Sequence, residues 1–256
     1  MKGAIIGDII GSHFEFLPCK EKDFLLFGDY YYYTDDTILT LATADALLNN
    51  KSYKESYLEW SKKYPNQSWG TGFKNWFTSD NPQPYNSFGN GSAMRISPVG
   101  WDFETLKQTQ EEAKKSAEVT HNHPEGIKGA QAVATAIYMA RSKKSKIEIK
   151  NYLQEEYGYD LSKKYEDIQP DYMFDATCQG SVPEAIISFL DSKDFEDCIR
   201  NAIALGGDAD TQACIAGSIA EAFYGEIPER IWAKCEKVLE PEMVILVNKF
   251  YNECGL

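Results

Sequence analysis

Residues 34–48 read TDDTILTLATADALL, a threonine and two aspartates followed by Ile38, Leu41, Ala42 and Ala46 at helical spacing. A threonine hydroxyl satisfies the free N–H groups of a first turn, acids suit its positive end, and the apolar positions return on one face. The same grammar recurs along the chain. Ser52 opens a segment that stops at Pro65, and Pro124 opens another over residues 124–141. In the latter, Ala130, Ala134 and Ile137 form a face on which a neighbouring helix can pack closely. Helices are also predicted over 103–119, 145–157, 183–191, 194–205 and 210–224, and from Pro228 to about Tyr251. Alternating patterns are scarce, and the aromatic run at 30–33 is too short to found a sheet. The sequence predicts an all-α fold in one domain spanning 1–256.

The chain has 256 residues, with 26 Lys+Arg against 39 Asp+Glu and a formal net charge of −13. That length is ample for a sizeable core. The charge argues against a nucleic-acid groove or an anionic membrane surface, both of which need a basic excess. It excludes neither a metal site nor an anionic ligand held locally. Cys19, Cys178, Cys198, Cys214, Cys235 and Cys254 show no CxxC pair, so they read as thiols of a cytoplasmic protein. The apolar start MKGAIIGDIIG is broken by Asp8 and lacks a cleavage pattern, and no stretch reaches the length of a membrane span. Residues 65–92 and 158–181 are irregular yet carry Trp69, Phe73, Trp76, Phe77, Tyr172 and Phe174, and read as long ordered loops.

Two acidic knots stand far apart in the chain, Thr34-Asp35-Asp36-Thr37 and Gly206-Gly207-Asp208-Ala209-Asp210-Thr211. Each lies at a predicted helix start and supplies two carboxylates and a threonine hydroxyl. All are hard oxygen donors, which select Mg²⁺, Mn²⁺ or Ca²⁺ over zinc or copper. Four carboxylates would balance two divalent cations, and a two-metal centre can orient and polarise an oxygen-rich substrate. Each knot alone also makes a good helix cap, and the residues leave both readings open.

A third element, Gly89-Asn90-Gly91-Ser92-Ala93-Met94-Arg95, leads into a probable helix. Its glycines can expose backbone N–H groups as an anion cradle, with Arg95 as a cationic contact, or can simply form a turn. At the N-terminus, glycines at spacing four (Gly3, Gly7, Gly11) suggest close helix packing. They lead to Ser12-His13-Phe14-Glu15, where burial would raise the pKa of Glu15 and suit it to acid or base work. In Thr120-His121-Asn122-His123-Pro124, Asn122 or His123 reads as the cap of the next helix. Trp69, Phe73, Trp76, Tyr85 and Phe88 read mostly as core, with stacking on a base as the other possibility, and Tyr224 reads as packing.

Taken together, GAIIGDIIGSHFE, TDDT, GNGSAMR, THNHPEG, GGDADTQACIAGSIAEAFYG and IPERIW resemble, in that order, the ADP-ribosylglycohydrolase family. That family includes the dinitrogenase reductase-activating glycohydrolases and relatives that remove ADP-ribose from proteins. The resemblance implies an all-α orthogonal bundle with a binuclear Mg²⁺ or Mn²⁺ centre in a cleft. It makes Thr34, Asp35, Asp36, Asp208, Asp210 and Thr211 the metal ligands. It places Gly89, Asn90, Gly91, Ser92 and Met94 along ADP-ribose, with His121 on its ribose or phosphate. Glu15, Asp36 and Asp208 become the candidates for acid/base catalysis, without a choice among them.

The implied reaction is hydrolysis of the bond between ADP-ribose and an acceptor, either a protein side chain such as arginine or serine or a small molecule. Its partners would be the ADP-ribosylated protein or conjugate and the product ADP-ribose, with a monomeric enzyme favoured. A module that binds ADP-ribose without turnover, or a hydrolase of another nucleotide glycoside, is the alternative. This chain is short for the family, and its loops at 65–88 and 158–181 hold no readable specificity signature.

Overall fold

The computed structural model describes every residue except Asp29 and Leu256. The chain begins with α1 (Lys2–Gly11), and an irregular segment then carries Glu15 to α2 (Asp35–Leu48). Thr34 caps α2 by accepting the N–H of Asp36, and Ser52 caps α3 (Tyr53–Lys63) through Glu55. Next come α4 (Thr71–Thr78) and the short α5 (Gly91–Met94) and α6 (Ser97–Asp102). Thr105, His123 and Ser145 cap α7 (Leu106–Glu118), α8 (Pro124–Arg141) and α9 (Lys146–Tyr157). The remainder is α10 (Tyr165–Ile168), α11 (Cys178–Leu190), α12 (Phe195–Ala204), α13 (Ala209–Tyr224), α14 (Glu229–Cys235) and α15 (Pro241–Glu253). Among the described residues there is no sheet, only an isolated antiparallel bridge between Gly89 and Thr177. The fold is all-α.

Three expectations need correction. The stretch 65–92 contains α4, whose Phe73, Trp76 and Phe77 are buried, so an amphipathic helix is hidden among its Asn, Gly and Pro residues. α11 starts at Cys178 rather than Pro183, because Thr177 accepts the N–H of Gly180 and nucleates the turn. That capped start outweighs the single backbone bond that Pro183 forgoes inside the helix. The last predicted helix is broken. α14 ends at Cys235, a 3₁₀ turn covers Glu236–Val238, and Pro241 restarts the chain in the first turn of α15. A proline cannot sit in a helix interior without losing a bond and clashing with the preceding turn.

One buried apolar cluster runs from Met1 to Phe250. At its centre α1 lies along α13, and from Gly3 to Gly11 every residue of α1 is buried. A Cβ on Gly7 would fall 2.0 Å from the carbonyl oxygen of Ala213, and one on Gly11 would fall 2.5 Å from Cα of Asp210. Glycine at these positions lets two backbones touch, which brings the end of α1 against the first turn of α13. All six cysteines are free thiols, four of them buried. Among the described residues, no helix is long and apolar enough to cross a membrane.

Candidate active site

The floor of the site is Asp8, a carboxylate in the middle of the otherwise apolar α1 and fully buried. A buried carboxylate is costly without partners, and Asp8 has three. Oδ2 accepts the backbone N–H of Thr34 (2.9 Å) and of Thr37 (3.0 Å), and Oδ1 accepts the Thr34 hydroxyl at 2.7 Å. Asp8 therefore satisfies free donors of the first turn of α2 and fixes the TDDT loop in space. Thr34 Oγ1 also accepts the N–H of Asp36 at 3.2 Å, so this hydroxyl is engaged on two sides.

Opposite stands the second knot. Carboxylate oxygens of Glu15, Asp208 and Asp210 lie within 4.8 Å of one another. Asn90 donates from Nδ2 to Oδ2 of Asp208 at 2.7 Å, and Oδ1 of Asp210 accepts the N–H of Thr211 at 2.8 Å. From α2, Asp36 is buried, and its Oδ2 has no partner among the described residues. Asp35 has only a long contact, 3.4 Å from the Ser68 hydroxyl. Burial pushes Asp36 and Asp210 well above the usual carboxylate range. Burial, and then the charge of Asp8, pushes Asp35 up to about 8. Glu15 is pushed up to about 7, by burial first and then by Asp208 and Asp8. Crowded carboxylates with an orphaned oxygen and, among the described residues, no cationic side chain bonded to them fit a hard divalent cation, which would supply the missing positive charge.

Both knots open into a cavity of about 290 Å³. Glu15, Asp35, Asp36, Asp208, Asp210 and Thr211 line one end of it. Gly89, Asn90, Gly91, Met94 and His121 line another part, and Phe73, Tyr85 and Phe174 add aromatic wall. Two predicted site residues are placed elsewhere. Thr34 is fully buried on Asp8, beneath the cavity. Ser92 does not line the cavity either, since it is fully buried and donates to the carbonyl of Gly126 at 2.7 Å. The helical twist of α5 turns it towards α8 instead.

Arg95, expected as a contact for an anion, is almost wholly buried yet lines the cavity, and its Nε and Nη1 have no partner among the described residues. Its guanidinium lies 4.3 Å over the ring of Tyr57, and Nη2 donates to Ser116 O and Thr120 Oγ1. Trp69, Phe73 and Phe77 pack on one another as core, with ring centroids 5.3 and 5.5 Å from Trp69. Phe88 packs on His123, and the hydroxyl of Tyr224 bonds Ser192 and Lys146. His123 caps α8, its Nδ1 accepting the N–H of Glu125.

Sequence reasoning missed Asp8 as a functional residue and noted it only as an interruption of an apolar run. The interruption was itself the signal, because one acid amid isoleucines and glycines must find partners. Phe174 was seen only as an aromatic in a loop, and nothing local marks it as cavity wall.

Residues 1–256 match the family model for ADP-ribosylglycohydrolase. The chain belongs to the ADP-ribosylglycohydrolase family. It is thereby a glycosidic hydrolase. The human ADP-ribosylhydrolase ARH3 is 26% identical over 333 aligned residues, covering 95% of this chain and 90% of its own. The ADP-ribosylarginine hydrolase Tri1 of Pseudomonas putida (strain GB-1) is 24% identical, covering 87% of this chain and 69% of its own. A solved structure titled ADP-ribosylglycohydrolase-related protein complex aligns with a TM-score of 0.75 at 23% identity, over 98% of this chain and 95% of that one. At that identity the likeness is one of fold. Within the ADP-ribosylglycohydrolase family, the acidic cluster of this chain is the feature able to hold a metal ion.

Proposed function

We propose that this ADP-ribosylglycohydrolase cleaves the bond between ADP-ribose and an acceptor, a protein side chain such as arginine or serine or a small-molecule conjugate. The observation that carries this reading is the joining of the carboxylate cluster and the Gly89–Met94 cradle in one cavity. Two divalent ions, Mg²⁺ or Mn²⁺, would be held by Asp35, Asp36, Asp208, Asp210 and Thr211, with Thr34 beneath them. When bound, such ions supply positive charge that orients vicinal ribose hydroxyls and polarises water.

The chain's own groups do the rest. Gly89, Asn90 and Gly91 line the part of the cavity where a diphosphate would lie. Ser87 Oγ takes the N–H of Gly89 and the carbonyl of Ala176 that of Asn90, which leaves the N–H of Gly91 as the backbone donor for it. Asn90 holds Asp208 in one orientation through its Nδ2 donor. Cleavage of a glycosidic bond passes through an oxocarbenium-like state and needs one group to protonate the leaving atom and one to activate water. Glu15, half-buried and with its pKa near 7, can hold or release a proton at working pH. Asp36 and Asp208 stand beside it as the other candidates for that role.

The test is an acceptor panel: ADP-ribosylated arginine and serine peptides and an O-acetyl conjugate, incubated with Mg²⁺ and then with EDTA. Release of ADP-ribose from at least one acceptor, lost in EDTA and in Asp208→Ala and Asp210→Ala, is the expected result. Tight ADP-ribose binding with no release from any acceptor would make the protein a binding module instead.

A further inference from the structure

Thr120 separates Arg95 from His121, and the hydrogen bonds around its hydroxyl can be counted. Arg95 Nη2 lies 3.0 Å from Thr120 Oγ1, and Thr120 Oγ1 lies 2.7 Å from His121 Nδ1. Thr120 is fully buried, and among the described residues its hydroxyl has these two partners. Arginine only donates, so Oγ1 accepts from Arg95. The hydroxyl has one proton, and the single remaining acceptor for it is Nδ1 of His121. Were Nδ1 protonated instead, Oγ1 would accept twice and its own proton would be left buried without a partner, which is costly.

We infer that Arg95 and Thr120 act as a relay that holds His121 neutral with its proton on Nε2, aimed into the cavity at the Gly89–Gly91 cradle. This rests on the reading of that cradle as the ADP-ribose site. A Cβ on Gly91 would sit 3.2 Å from Nε2 and one on Gly89 3.6 Å away, so Nε2 faces the two glycines. Burial and the nearby charge of Arg95 both disfavour a second proton on the ring, and hold His121 well below its usual pKa. Nε2 is then a fixed neutral donor for an anionic or hydroxyl oxygen lying over the cradle. Arg95 is also among the residues lining the cavity, but in the relay it acts through Thr120. Thr120 and Arg95 are positioning residues.

The decisive measurement is a long-range ¹⁵N–¹H correlation spectrum of the labelled protein near pH 7, with His121 assigned by its absence in His121→Gln. The Nε2–H tautomer is expected in the wild type and in Thr120→Ser, which keeps the hydroxyl. In Thr120→Val the ring should shift towards Nδ1–H, and affinity for ADP-ribose, read by calorimetry, should fall about tenfold, the scale of one hydrogen bond to a charged acceptor. Thr120→Ser should restore both. A wild-type Nδ1–H tautomer or imidazolium overturns the relay, as does a Thr120→Val protein that keeps Nε2–H and full affinity. If the wild type does not bind ADP-ribose, the functional reading fails, while the spectrum still decides the tautomer.

Discussion

Asp8 and Thr34 are joined twice, Oδ2 to the backbone N–H at 2.9 Å and Oδ1 to the hydroxyl at 2.7 Å. One carboxylate of the first helix thus replaces the solvent that would otherwise satisfy the start of α2. Asp8→Ala would leave the N–H groups of Thr34 and Thr37 buried without this acceptor. Each such loss costs roughly 1–3 kcal/mol. The expected outcome is a lower unfolding temperature together with loss of ADP-ribose release, because the TDDT loop is no longer held. A variant with wild-type melting and wild-type turnover would refute this account of Asp8.

Asn90 is better understood as a partner of Asp208 than as a ligand-facing side chain alone, given the 2.7 Å bond between them. Groups that orient a metal-ligating side chain commonly carry 10–100-fold in metal affinity or activity. Asn90→Ala should weaken Mn²⁺ binding by about that factor, measured by calorimetry or by the electron paramagnetic resonance of free Mn²⁺. Unchanged affinity would leave Asn90 with no role at the acidic cluster.

The glycine seam between α1 and α13 predicts a steric result. In Gly11→Ala the new methyl would meet backbone at Asp210 2.5 Å away, with no flexible side chain to give way. Overpacking of this kind costs roughly 1–3 kcal/mol, and it displaces a carboxylate of the candidate site. Both the melting temperature and metal-dependent activity should fall. Gly28→Ala is the control, since a Cβ there meets nothing within 4 Å, and it should stay within about 0.5 kcal/mol of wild type.

The carboxylates also predict how stability depends on pH. Glu15 and Asp35 have pKa values of about 7 and about 8 in the fold, raised from 4.5 and 3.8. A raised pKa contributes stability that is complete below the unfolded value and is lost as pH rises through the folded one. In EDTA their contribution therefore declines between about pH 4 and pH 8. A divalent cation offsets that loss by binding the ionised form. Millimolar Mg²⁺ should raise the melting temperature relative to EDTA, and by more at pH 8 than at pH 5. His121 runs the other way, its depressed pKa removing stability as pH drops below about 6.5, but it contributes equally to both conditions. An Mg²⁺ increment that is the same at both pH values would count against this coupling.

Much of this was legible in the residues. Thr34, Ser52 and His123 each cap a helix as their positions predict, and capping is a local matter that spacing and side-chain chemistry decide. The acids of the two knots were marked by their type, and the cavity does bring Asp35, Asp36, Asp208 and Asp210 to one place. The errors arose where a distant partner decides. Ser92 carries the same motif whether it faces a ligand or Gly126, and only the packing of α5 on α8 selects between them. For Arg95, nothing nearby in sequence announces Tyr57, Ser116 and Thr120, which hold its guanidinium in the cavity wall. The break before α15 is of another kind, since Pro241 in the sequence already bars a continuous helix there.

The packing of α1 on α13 has a consequence for when the molecule becomes competent during synthesis. A nascent chain that has emerged only as far as α12 already holds the TDDT loop, Asp8 and Glu15, but neither Asp208 nor Asp210. Its first helix, apolar but for Lys2 and Asp8, still lacks the surface it is shaped to meet. Arrival of α13 supplies that surface and the missing carboxylates in one event, with Asn90 reaching Asp208 across 118 residues of chain. The docking of α1 on α13 and the completion of the acidic cluster are thus one step of folding. A chain cut before α13 would keep one acidic knot of two and leave α1 without the helix it packs against.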